Sequence, residues 1–184
     1  MMFDLFKPKK ACSELGYLLA STMPKMFDVG SNPGLDREFE LYVENGASAE
    51  HIRPEMAALQ CFCAWAGLAV ALQTRKITQD QFALIDQSFF ANLEEFSQKF
   101  DVVSTGSVSY DSFWDWLKAR LDRYMHILDV TNDTFTATRN IVQNFCDFAC
   151  PSPSETVQIK VWQTYEASLL NVTKIMSMHR LTLN

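Results

Sequence analysis

Asp122 and His126 stand four residues apart, as do Cys146 and Cys150, and these four are the best supply of metal ligands in the chain. On a helix, side chains four apart share a face. Asp122 would then orient the His126 imidazole, and the two thiols would converge. Nitrogen, oxygen and sulfur donors in that number match a tetrahedral zinc site. Neither pair has the C-x-x-C spacing of a structural zinc knuckle, so a surface Asp–His pair and two buried thiols is the competing account.

Other metal and phosphate chemistries fail on spacing. A carboxylate-bridged di-iron bundle needs Glu-x-x-His on two helices, and none of His51, His126 and His179 has Glu three positions before it. No two histidines are four apart, which removes the metalloprotease helix. Gly30-Ser-Asn-Pro-Gly34 and Ser104-Thr-Gly-Ser107 lack the Lys-Ser/Thr ending of a phosphate loop. No cofactor motif is present. Phe113-Trp114-Asp115-Trp116 offers a different use: Trp114 falls on an apolar stripe, whereas Trp116 and Ile127 fall off it. An exposed Trp116 beside Asp115, with Ile127, would anchor a protein partner; a wider buried face is the alternative.

The elements that must hold these residues read as helices. From Glu55 to Lys76, after Pro54 in a first-turn position, the chain is apolar all round, so it is either a bundle's central helix or a membrane span. The run Ala57 to Leu72 is shorter than the ~20 residues a span needs and contains Gln60. The other helices are amphipathic, so the expectation is a buried helix and no membrane span. Cys63, Gly67 and Ala71 recur every four residues and predict a ridge of close helix approach.

Thr78 to Gln81 is a capping box, and Phe82, Ile85, Phe89, Leu93, Phe96 and Phe100 form one stripe behind it. Val102 to Ser109 reads as a linker. Tyr110, Phe113, Trp114, Leu117, Leu121, Tyr124, Met125 and Leu128 predict the next helix. Phe135 to Cys150 follows, with Arg139 on its stripe. A last helix starts at Ser152-Pro-Ser-Glu155 and runs to about Leu181, although 156–163 also alternates like a strand. Near the N-terminus, 11–23 reads as a helix, 28–36 as a loop, and Asp36 as the cap of a helix ending at Gly46. No internal repeat is present.

Composition agrees with that picture. The 184 residues are 48% hydrophobic with only six Gly and six Pro, too apolar for disorder and too poor in turns for a many-stranded fold. The expected fold is all-α: one domain over 1–184, an irregular bundle of six or seven helices around the 55–76 helix, with 1–10 flexible or loosely docked. Glu14 interrupts the apolar stretch after Lys7 to Lys10, so no signal peptide is read there. Five cysteines in apolar surroundings read as reduced core thiols and a cytoplasmic protein.

The net charge of −6 disfavours nucleic acid, since no linear window is strongly basic beyond Lys7, Lys9 and Lys10. Three functions remain. The favoured one is a non-enzymatic protein-interaction module (an adaptor, chaperone or inhibitor) whose acidic surface steers a partner protein, with a homo-oligomer also open. The second is an enzyme or metal protein using Asp122, His126, Cys146 and Cys150. The third is a bundle holding an apolar ligand among its Phe and Met side chains.

Overall fold

A computed structural model describes residues 8–28, 30–101, 110–131, 133–150 and 152–183. Among them are seven α-helices, as the periodicity predicts: α1 Cys12–Ala20, α2 Pro33–Glu44, α3 Ile52–Gln73, α4 Gln79–Ser97, α5 Phe113–Val130, α6 Thr134–Ala149 and α7 Glu155–Met178. A single 3₁₀ turn, Pro24–Met26, lies between α1 and α2. Two short strands, β1 Lys9–Ala11 and β2 Arg180–Thr182, pair in parallel, Lys9 opposite Arg180. The linker expected over Val102 to Ser109 lies outside the described residues.

The helix starts follow local chemistry. Thr78 and Gln81 form the reciprocal capping box, Gln81 N–H donating to Thr78 Oγ1 (3.3 Å) and Thr78 N–H to Gln81 Oε1 (3.0 Å). Ser112, Asp133 and Ser154 cap α5, α6 and α7 by accepting from the third residue of each helix. The strand alternative over 156–163 yields to α7, whose Ser154 cap and long continuation outweigh five alternating residues.

Three expectations need correction. Residues 28–36 are not all loop: Asn32 caps α2 and Pro33 takes its first position, where the missing N–H has no partner to lose. Asp36, expected as the cap, sits inside α2 and pairs with Arg53 at 2.7 Å. The last helix, expected to run to about Leu181, ends at Met178, and the strand after it pairs with Lys9 and Lys10; residues 1–7 of the segment expected to be flexible or loosely docked lie outside the described residues.

The centre is α3. It has the length and composition to cross a membrane, but 72% of its most apolar window is buried inside the protein. Its Gly67 meets α7 where the small-residue ridge predicts contact: a Cβ there would lie 2.6 Å from Val172 Cγ1. Cys63 Sγ donates to Tyr165 O of the same helix at 3.9 Å. An equally close approach at Gly16 packs α1 on α4, 2.6 Å from Ile85 O. One buried cluster draws side chains from all seven helices.

Candidate functional site

The four candidate metal ligands are not brought together. Asp122 and His126 are exposed on α5, whereas Cys146 on α6 and Cys150 at its C-terminal cap are buried. No group of three or more His, Cys, Asp or Glu suited to a metal occurs among the described residues. All five cysteines are free and buried. Burial raises every one of these thiols, that of Cys146 to about 12, so the thiolate that would bind a metal or attack an electrophile is suppressed.

The proposed partner anchor is also corrected. Trp116 is fully buried, and Trp114, Asp115 and Ile127 are half-buried, Trp114 packing against the core with Lys118 Nζ 5.9 Å from its ring, so α5 presents the wider buried face. The aromatic side chains expected to line a ligand pocket instead stack on one another. Phe62 lies 5.2 Å from Tyr124 and 6.3 Å from Tyr165 between ring centroids.

Sequence reasoning missed a buried polar cluster. Glu55, in the first turn of α3, is inaccessible to solvent, and Arg120 of α5 is 6% exposed. Arg120 Nε donates to Glu55 Oε1 at 3.2 Å, and its Nη2 and the Tyr124 hydroxyl make short bonds to the same oxygen. Nη2 also donates to the backbone oxygen (3.2 Å) and Oδ1 (2.9 Å) of Asn144 on α6. Phe148 lies over the guanidinium at 5.1 Å.

Burial pushes the Glu55 carboxyl up, and the Arg120 guanidinium pulls it back. For Arg120, burial works against its charge, and Glu55 and Tyr124 together outweigh it. Burial and the Glu55 charge hold the Tyr124 hydroxyl well above its ordinary value, so it stays a donor. Glu55 Oε2 and Trp116 Nε1 have no hydrogen-bond partner among the described residues. A closed, charge-matched cluster of this kind ties α3, α5 and α6 together; its burial leaves a substrate no room beside the carboxylate. A signal did exist: Glu55 is the only charged residue from there to the end of an apolar helix, and Arg120 repeats at helical spacing with Phe113, Trp116, Leu117 and Tyr124.

The exposed chemistry lies elsewhere, in a cleft of about 590 Å³ between α6 and α7. Val142, Ile159 and Trp162 supply its apolar surface, and Arg139, Glu155, Glu166 and glutamines its polar rim. Phe135, 67% exposed, packs on Trp162 with ring centroids 5.5 Å apart. The Trp162 indole N–H donates to Glu166 Oε1 at 2.8 Å, which fixes the ring while its face stays partly open. Neither α5 nor the four candidate ligands contribute to this cleft. Comparison with protein families, characterised proteins and solved structures returns no match to the chain.

Proposed function

We propose that the protein is a non-enzymatic interaction module that docks a helical segment of a partner protein in the α6–α7 cleft. The observation that carries this reading is the Phe135–Trp162 pair, an exposed Phe held in contact with a half-buried Trp at the edge of the core. Aromatic anchors ringed by polar groups are the usual energetic centre of an interface. From Glu155 to Glu166 the cleft follows α7 for about 16 Å at 1.5 Å per residue. That length suits an amphipathic helix with apolar anchors at i, i+4 and i+7. Two carboxylates against one Arg139, on a chain of net charge −6, favour a partner segment that also carries a basic residue. Five free thiols fit a reducing, cytoplasmic setting.

A photocrosslinking residue at Gln158 identifies the partner in cells. Calorimetry with the purified partner then compares the parent with a Phe135→Ala/Trp162→Ala variant. The expected result is a loss of about 2 kcal/mol or more in binding with little change in folding stability. Equal binding by both proteins overturns the reading. Concentration-dependent sedimentation with capture of a second copy of this chain replaces the partner with a homo-oligomer and overturns the assignment equally.

A further inference from the structure

Cations that the linear sequence scatters are gathered at one end of the bundle. Arg75 and Lys76 follow α3, His179 and Arg180 follow α7, and Gln81 comes from the first turn of α4. With Met176, Ser177 and Leu181 they line an open cleft of about 570 Å³. No Asp or Glu lines it, and Arg75, Lys76 and Arg180 have no carboxylate partner among the described residues. Lys9 adds to the patch, since it stands opposite Arg180 in the strand register. Among the described residues, the acids nearest in sequence to these cations and to Gln81 include Asp80, beside Gln81, and Glu14, whose Oε2 accepts from Ala11 N–H at 3.4 Å. In a protein of net charge −6, a carboxylate-free cleft with this many cations is a marked segregation of charge.

The backbone gives a second, independent observation. The α3 terminus is a Schellman motif: Lys76 N–H bonds to Ala71 O at 2.8 Å and Arg75 N–H to Leu72 O at 2.9 Å. The residue between must be left-handed, and Gly is the residue that takes that conformation without a Cβ penalty. Here it is Arg75, at φ +55°, the only non-Gly residue with positive φ among the described residues. A bland account exists, because cations at helix C-termini complement the helix dipole. It explains the charges. It does not explain a strained Arg where Gly caps better, or a cleft free of acids.

We propose that this cleft binds the phosphate group of a small phosphorylated ligand, a monoester or a pyrophosphate. Arg75 and Arg180 supply planar forks that match phosphate oxygens, and Lys76 supplies a point charge. His179 presents Nδ1 to Ile175 O at 3.0 Å; a carbonyl only accepts, so Nδ1 carries the proton and Nε2 is left out of that bond. The volume lies within the range of small-molecule sites. The site is separate from the α6–α7 cleft and stands whether or not that surface docks a partner.

Titration of the full chain with sodium pyrophosphate, by calorimetry and thermal shift at constant ionic strength, tests it. The expected result is saturable binding that weakens at least tenfold in each of Arg75→Gly, Lys76→Gln and Arg180→Gln. Arg75→Gly should melt at or above the parent temperature, because Gly relieves the left-handed strain; its loss of binding is then not a loss of fold. A parallel arm uses phosphatidylcholine vesicles with and without phosphatidylinositol phosphate. Binding to the phosphoinositide vesicles but not to free pyrophosphate assigns the phosphate to a lipid headgroup. No saturable response beyond matched chloride in either arm, or binding that all three variants leave unchanged, overturns the proposal.

Discussion

Removing the Arg120 guanidinium would leave the Glu55 carboxylate in a dry core with only the Tyr124 hydroxyl beside it. Breaking a buried pair from one side costs about 3–5 kcal/mol, because the remaining charge is uncompensated. Arg120→Met should therefore lose about that much, and Glu55→Met a similar amount through the stranded guanidinium. The double variant strands no charge. It still leaves the Tyr124 hydroxyl and the Asn144 Oδ1 without their partners, at about 1–3 kcal/mol for each group that finds no substitute. Replacing a buried pair by apolar groups returns some of that loss. The single variants together should thus cost about 6–10 kcal/mol if independent. The double variant should cost less than either single. Urea melts followed by circular dichroism, with a constant slope across the series, give the four stabilities of the cycle. Additive losses would refute the reasoning, since they would mean that neither charge depends on the other.

Three further outcomes are expected. Gly67→Ala should destabilise by about 1–2 kcal/mol, since the new Cβ meets Val172 Cβ at 2.7 Å, an atom fixed to its backbone, and overpacking exceeds the propensity gain; Gly16→Ala, facing backbone atoms at 2.6 and 2.8 Å, should cost at least as much, and urea melts at or above the parent midpoint would contradict both. All five thiols should resist labelling by a disulfide reagent at neutral pH until the protein is denatured, and rapid labelling of the native chain would place them at the surface. The Thr136 amide holds the Asp133 carboxyl below its usual range, so its cap contributes above about pH 4, the ordinary Asp value, and is lost as pH falls through the lowered one. Asn keeps the cap without titrating, so Asp133→Asn should flatten the acid decline of the melting temperature between pH 4 and 2; an unchanged decline counts against this linkage.

The elements that sequence made legible are those whose signal is local and redundant. The α4 capping box, the all-round apolarity of α3 and the Cys63–Gly67–Ala71 ridge each follow from neighbouring residues, and each stands in the structure. The phases of α5 and α6 were less legible. Hydropathy ranks Arg120 and Asn144 as surface residues, and Arg139 and Phe135 entered the α6 stripe although both face solvent. A charge is buried only when its partner arrives from another helix, and that partner is far away in sequence. The basic cleft was hidden for the same reason: Arg180 stands more than half the chain away from Arg75 and Lys76, and Lys9 joins them only through the β1–β2 pairing.

The ion pair accounts for the way α5 faces the core. Hydropathy alone nearly balances two rotations of this helix, one burying Trp114 with Met125 and one burying Trp116. Each rotation centres one indole in the core, so transfer free energy separates them weakly. The second rotation even leaves the Trp116 indole N–H without a partner, at about 1–3 kcal/mol. What separates them is Arg120, one turn after Trp116 and on the same face. Turning Trp114 fully inward would swing the guanidinium away from Glu55 and strand a buried carboxylate in the first turn of α3, which costs about 3–5 kcal/mol. That exceeds the cost of the orphan indole, and packing of Trp116 on Phe113 and Phe148 adds to the preference. The buried pair therefore sets the rotation of α5, and through it turns Asp122 and His126 to solvent, away from the thiols they were expected to join.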